Sequence, residues 1–479
     1  MICKRLIGHY GPLELFRLNS WQRVSGSVVP EILPYCFQTP RGDFDLPPSE
    51  TLSLKKIIIS TCGSAGSLRH LVPFFDVVIV DEASQVVEAE VLIPLSLVHD
   101  FGACIISGDT EQLSNSPRSP LFSESAQCNS LQERLLHLPF YEDIKLQHSH
   151  RYDHFVFGSF LRRNYRSHKD IFGVSSRLFY DNALVEAGNK VVTNSLIGWN
   201  VQGAFKDQIY LSRKALNTTE KVEINVSECE TRMASAQNGS PIHFVGINGI
   251  HAHELDSPSY YNEMEIAAVV QLCKDLTTDV KIAVTEMDIG IIAAFRSQVL
   301  KIRLSLRKAG LGKVNVGSVQ DFQGQEMKVI IISTVLTSGM RVTREADIWI
   351  EKIGLFADYR KFNVAVTRGM ALCIVVGDPY ALYADEYWRV YLEECDEKGR
   401  YSGYDCRLLN RYSKQLEEKD ATDLLNAAVH YALRQDMVLG GGIGVGVGGV
   451  GRNDHNSSSA RLLAEYGVYS DEITWRTLL

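Results

Sequence analysis

No run of about 18 apolar residues occurs, so no helical membrane span is predicted, and the opening residues MICKRLIGHY lack the apolar core of a signal peptide. There is no C-x-x-C pair. The ten cysteines, at 3, 36, 62, 104, 128, 229, 273, 373, 395 and 406, are scattered, and Cys104 and Cys373 lie in apolar, strand-like runs. That excludes a dense disulfide framework and reads as reduced thiols of a cytosolic or nuclear protein. Basic charge is also in short supply: 49 Lys and Arg face 57 Asp and Glu, for a net −8. A small domain that coats nucleic acid is usually basic, so the balance gives no support for that role, although net charge says nothing about a local basic channel. The last absence is a phosphate loop. No G-x-x-x-x-G-K-[ST] occurs anywhere; Gly312-Lys313 is followed by Val314 and lacks the earlier glycine.

What is present is an α/β pattern. A chain of 479 residues favours two or three domains. Residues 1–50 hold Pro30, Pro34, Pro40, Pro47 and Pro48 without a clear period and read as irregular. From residue 56, short β-rich apolar runs appear: KIIIS (56–60), VVIV (77–80) and ACIIS (103–107), with helical spacing between 85 and 99. Such runs read as buried parallel strands in a strand–helix alternation. A second set follows. NEMEIAAVVQLCKDL (262–276) reads as a helix with Ile266, Val269, Val270 and Cys273 on its apolar face, DIGIIAAF (288–295) as a strand, and SQVLKIRLSLRKAG (297–310) as an amphipathic helix closed by Gly310. VIIISTV (329–335) and ALCIVVGD (371–378) read as two further strands. The expected division is an N-terminal remnant (1–50), a partial α/β domain (51–155), a second α/β domain (156–408) with an irregular insertion near 190–260, and a tail (409–479). The tail's GGGIGVGVGGVG (440–451) matches G-x-G-x-x-G, but no buried strand precedes it and no helix pattern follows, so it reads as a linker.

Five short motifs carry chemistry. FDVVIVDEASQ (75–85) runs an apolar strand into adjacent carboxylates, Asp81 and Glu82, the pairing that can hold Mg²⁺ and activate water. ACIISGDTEQL (103–113) ends the next strand near Gln112, an amide able to bond a phosphate oxygen without adding charge. LRRNYRSH (161–168) sets Tyr165, able to stack on a base, beside Arg166, able to grip phosphate. VGSVQDFQGQE (316–326) places Gly324 and Glu326 before a strand, and KFNVAVTRGM (361–370) places Arg368 before another. The histidines at 148, 150 and 154, and at 251 and 253, lack partner cysteines and read as solvated rather than metal-binding.

In this order, DEASQ, GDTEQL, NYRSH, DFQGQE and VAVTR resemble motifs II to VI of superfamily 1 helicases, closest to the RNA-helicase branch of the Armitage and Moloney-leukaemia-virus-10-type proteins of RNA silencing. The flanks SPRSPL (116–121), LFYDNALVEAG (178–188) and EYWRVYLEECDEKGRYSGYDC (386–406) support that branch, and the resemblance covers about residues 1–406. It implies two RecA-like P-loop NTPase domains, the first truncated at its N-terminus, with ATP and Mg²⁺ between them and single-stranded RNA across both. By that likeness Asp81 holds Mg²⁺, Glu82 activates water, Gln112 senses the γ-phosphate, and Arg166 and Arg368 stabilise it. Tyr165 lies near adenine, Gly324 and Glu326 line the nucleotide pocket, and Ser60 and Thr61 touch the RNA backbone. The family translocates 5′ to 3′, so the resemblance implies an RNA helicase of silencing or turnover, cytoplasmic or in ribonucleoprotein granules, with Argonaute-type partners. There are three departures. The phosphate loop, which the family carries upstream of DEAS, is missing. Thr110 and Glu111 replace the usual proline and base. Gly369-Met370 follows Arg368 where a small and a basic residue are usual. The first implies impaired ATPase, and leaves a non-catalytic RNA-binding module, or a DNA helicase of the same superfamily, as alternatives.

Overall fold

The computed structural model describes residues 2–72, 74–114, 130–142, 149–152, 155–201, 239–247, 249–254, 257, 259–337, 355 and 358–403. The Gly-rich tail, residues 202–238 of the expected irregular insertion (190–260), SPRSPL, His148 and His154 lie outside them; within that expected insertion Ile242–Gly246 is instead a buried strand. All described residues fall within one unit, Met1–His430.

The N-terminal part is built from short parallel pairs. Strand β1 (Leu15–Arg17) pairs with β2 (Ile57–Ile59), and β3 (Phe75–Val80) pairs with β4 (Val98–Ile106), both parallel. The expected strands at 56–60, 77–80 and 103–107 are present, the last two longer than read. Residues 1–50 are less irregular than their prolines suggest. Leu15 and Phe16 are buried, and Phe16 packs with Leu52, Leu68 and Leu97 in one apolar cluster. A three-residue strand between turn residues offers no period to detect. Helix α1 (Glu88–Leu95) buries Val91 against Val80, and α2 (Leu131–Leu136), capped by the Ser130 side chain, adds Leu131 to the same cluster.

The second part holds a six-stranded, all-parallel sheet. Its strands are β5 (Ile242–Gly246), β6 (Ile289–Ala293), β7 (Asn315–Gly317), β8 (Met327–Ser333), β9 (Gly369–Gly377) and β10 (Tyr401–Gly403), in the order β7-β6-β8-β9-β5-β10. Continuous apolar runs are required because both faces are covered. Alternation sends Val329, Ile331, Ile374 and Val376 to one face, beneath helices α4 (Glu263–Thr278) and α5 (Arg296–Lys308). Ile330, Ile332, Cys373 and Val375 go to the other, beneath α3 (Lys169–Phe179), α6 (Tyr359–Val366) and α7 (Glu386–Glu397). Both helices read between 262 and 310 are present; Ile266, Val269 and Cys273 are buried, and Gly310 closes α5 at φ +79°. Asn262 caps α4, its side chain accepting from the Met264 and Glu265 amides. No described helix is long and apolar enough to cross a membrane.

Candidate nucleotide site

The acidic pair stands on the tip of β3. Backbone bonds from Ser107 N to Val80 O (2.9 Å) and from Ala83 N to Ser107 O (2.8 Å) tie the β3 and β4 tips together. Asp81 is exposed, and its Oδ1 accepts from Ser107 Oγ at 2.9 Å. Glu82 adopts left-handed backbone (φ +56°), and its Oε2 accepts from Gln85 Nε2 at 2.7 Å. Left-handed backbone in a non-glycine residue costs energy, and such strain clusters at functional sites. Burial, then the neighbouring Asp81 charge, raises the Glu82 carboxyl above the usual carboxylate range. A carboxyl with a raised proton affinity is better suited to accept a proton from water. Gly108 lets the tips approach: a Cβ there would sit 2.2 Å from Gln132 Oε1 and 2.9 Å from Ser84 N.

The β4 tip faces the second part of the chain. Gln112 donates from Nε2 to Asp109 Oδ2 (2.8 Å), and its Oε1 accepts from Arg368 Nη2 (3.3 Å). Arg368 is 2% exposed, so the guanidinium is a fully desolvated cation. It also donates from Nε to Val364 O (3.0 Å) and from Nη2 to Thr367 Oγ1 (3.2 Å). Burial, then repulsion from Arg166, lowers it to about 9, which still leaves it charged at neutral pH. Arg166 pairs with Glu326 (Nε to Oε2, 3.1 Å) and donates to Thr367 O (3.4 Å). The structure therefore brings these residues into one neighbourhood, joining Gln112 to Arg368 and Arg166 to Glu326 by hydrogen bonds and Glu82 to Asp81 and Arg368 by charge interactions. Tyr165, beside Arg166, is 66% exposed. Gly324 takes φ +67° two residues before Glu326, backbone that favours glycine.

Ser60 and Thr61 follow β2, apart from these contacts. Thr61 is spent locally, its Oγ1 accepting from Ser64 N (3.4 Å) and donating to Ser64 Oγ (2.9 Å). His251 and His253 lie on a hairpin strand, His251–His253, paired with Tyr260–Asn262; the His251 ring contacts Thr337 Oγ1 at 2.6 Å. Sequence reasoning passed over Asp109, Tyr180 and Asn363, although each falls inside a quoted motif or flank. Asp109 Oδ2 accepts from the Tyr180 hydroxyl at 2.7 Å, and Asn363 Nδ2 donates to that hydroxyl at 2.8 Å.

Two stretches of the chain, residues 144–380 and 41–116, each match a family described as an AAA domain. The chain is 34% identical to mouse "RNA helicase Mov10l1", over 82% of this chain and 30% of that protein. Against the human protein of that name it is 34% identical, over 82% and 29%. It is 29% identical to "Probable RNA helicase armi" of Drosophila melanogaster, over 85% and 34%. The chain thus spans about a third of the length of these curated relatives. A solved arterivirus helicase, nonstructural protein 10, aligns over 81% of this chain and 58% of that one, at 12% identity and a TM-score of 0.32. The chain belongs to the superfamily 1 helicases, and its parallel, helix-flanked sheets are the RecA-like architecture of that family. Within the family its sequence is similar to the Armitage and MOV-10 type of relatives, as its motif order indicated.

Proposed function

We propose that this chain is part of the motor core of an ATP-dependent RNA helicase, translocating 5′ to 3′ on single-stranded RNA in silencing or turnover, and that the chain alone is an impaired ATPase. The observation that carries this reading is the contact from Gln112 to the buried Arg368, with the Arg166–Glu326 pair alongside and the Asp81–Glu82 tip behind. An amide and two cations around one cleft suit the charge of a γ-phosphoryl group. Asp81, with Ser107 beside it, offers oxygen donors of the kind Mg²⁺ takes when phosphates and water complete its shell. Bound Mg²⁺ would supply charge neutralisation on the phosphates. The chain's own work is then to accept a proton from water at Glu82 and to stabilise departing charge from Arg166 and Arg368. Tyr165 is exposed enough to stack on a base, Gly324 lets the chain turn beside the pocket, and Ser60 and Thr61 would meet the RNA backbone.

The β-phosphate end has no counterpart. Backbone amides and a lysine of a G-x-x-x-x-G-K-[ST] loop normally cradle it, and the sequence contains none. We expect salt-dependent single-strand binding by the 479-residue chain, with weak ATP affinity and no RNA-stimulated hydrolysis. RNA-stimulated ATPase abolished by Glu82→Gln would refute the impairment and confirm Glu82. Equal binding to matched RNA and DNA strands would count against RNA as the substrate. A non-catalytic RNA-binding module is favoured by one observation, the complete second sheet; nucleotide-independent RNA binding identifies it. Location in the cytoplasm or in ribonucleoprotein granules, with Argonaute-type partners, is part of the same proposal.

A further inference from the structure

We propose that Tyr180 is a positioning residue which, through Asp109 and Gln112, sets the orientation of Arg368. This rests on the reading of Gln112 and Arg368 as the γ-phosphate end of the site, and adds what holds them. Tyr180 follows α3 directly. Its hydroxyl donates to Asp109 Oδ2 (2.7 Å) and accepts from Asn363 Nδ2 (2.8 Å). The same Asn363 nitrogen donates to Glu111 O (2.7 Å), so both of its protons are committed, one to Tyr180 and one to the loop after β4. Asp109 is surrounded by donors: Oδ1 accepts from Glu111 N (3.0 Å), and Oδ2 accepts from Gln112 Nε2 as well as from Tyr180.

These bonds decide which way the Gln112 amide faces. With Nε2 on the Asp109 carboxylate, Oε1 must point at the Arg368 guanidinium. The flipped amide would set oxygen against carboxylate and N–H against guanidinium, two repulsive pairs at a partly buried position. Tyr180 fixes Asp109, Asp109 fixes the amide, and the amide fixes the arginine. Burial, then the Asp109 charge, pushes the Tyr180 phenol well above its ordinary range, so it remains a donor. The departures Thr110 and Glu111 belong to the same clamp. Arg360 Nε donates to Thr110 O (2.9 Å), and the Tyr359 hydroxyl to Glu111 Oε2 (3.3 Å), so α6 grips the loop where a proline and a base are usual.

The test reads Arg368 without nucleotide. Phenylglyoxal modification of the 479-residue chain, followed by peptide mass mapping, gives a rate for that side chain. Tyr180→Phe keeps the ring and removes the hydroxyl, and is expected to raise the Arg368 rate about three- to tenfold, the size of one lost hydrogen bond. Gln112→Leu is expected to raise it at least as much. In the Gln112→Leu background, Tyr180→Phe adds nothing, because both act through one link. A general loosening of packing would instead multiply the two effects. If Tyr180→Phe is unfolded by circular dichroism, Asn363→Leu takes its place with the same expectations. An unchanged Arg368 rate in the single variant, or multiplied effects in the double, overturns the proposal. ATPase enters none of these arms, so the outcome is separate from that of the helicase reading.

Discussion

At the scale of single residues, His243 shows how burial fixes a charge state. It lies on β5, 3% exposed, with its Nε2 3.3 Å from Arg400 Nη1 and 3.2 Å from Trp199 O. Burial, then the Arg400 charge, lowers it to about 3, so the imidazole is neutral in the folded chain. The unfolded chain takes up the proton near pH 6.5, so this contribution to stability is complete above 6.5 and is lost as pH falls toward 3. At pH 5 the loss is about 2 kcal/mol, at 1.36 kcal/mol per unit between the two values. Chemical denaturation at pH 7.5 and pH 5 should give His243→Gln a stability difference smaller than wild type by that amount. Equal differences in the two proteins would mean that His243 is protonated in the fold. Of the candidate catalytic residues, Glu82 shares this logic with the sign reversed, since burial favours its neutral form too, and for an acid that raises the pKa.

Elements are joined by polar contacts that periodicity does not disclose. Glu265, in the first turn of α4, is fully buried and receives Ser333 Oγ (2.6 Å) and Val335 N (3.0 and 2.9 Å) at the end of β8. Val335 is held at φ +71°, costly for a β-branched residue. Glu265→Ala would leave the Val335 amide and the Ser333 hydroxyl proton without an acceptor in the core, Ser333 Oγ keeping only the Gln298 amide as a donor to it, and should cost about 3 kcal/mol. A measured loss below about 1 kcal/mol would show that water or a neighbour replaces the carboxylate. The apolar faces of α4 and α5 and the runs of β3, β4, β6, β8 and β9 were legible in the sequence, because period and length are local properties. The places of Asp81 and Glu82 at the end of one strand, of Gln112 in the loop after the next and of Arg368 just before another were readable in the same way, because a polar residue next to an apolar run is a local signal as well. Tyr180 and Asn363 were not. Their meaning lies in a hydroxyl–amide contact between positions 183 residues apart, which no spacing rule encodes.

Across the molecule, the two parts bury their sheets unequally. The six-stranded sheet has helices on both faces, and its central residues Ile331, Ile332, Ile374 and Val375 are fully buried. Among the described residues the β3–β4 pair is covered on one face only. Val78 and Val80 turn toward Val91 and Leu131, while Val77 and Ile79 turn outward at 50% and 65% exposure. Register sets Val77 beside Ala103 and Ile79 beside Ile105, itself 49% exposed, so the apolar atoms form a contiguous patch. Among the described residues β3 pairs with β4 alone, which leaves its other edge open. An apolar face beside an open edge favours self-association. Ile79→Lys combined with Ile105→Lys should therefore slow aggregation of the purified chain severalfold by light scattering, with little change in the unfolding midpoint, because both side chains already meet water. Ile331→Lys, the same change inside the second sheet, should abolish folding, since it buries an unpaired charge. If the exposed pair lowered the midpoint as severely as Ile331→Lys, the face would be buried in solution and the uncovered sheet would not be a property of this chain.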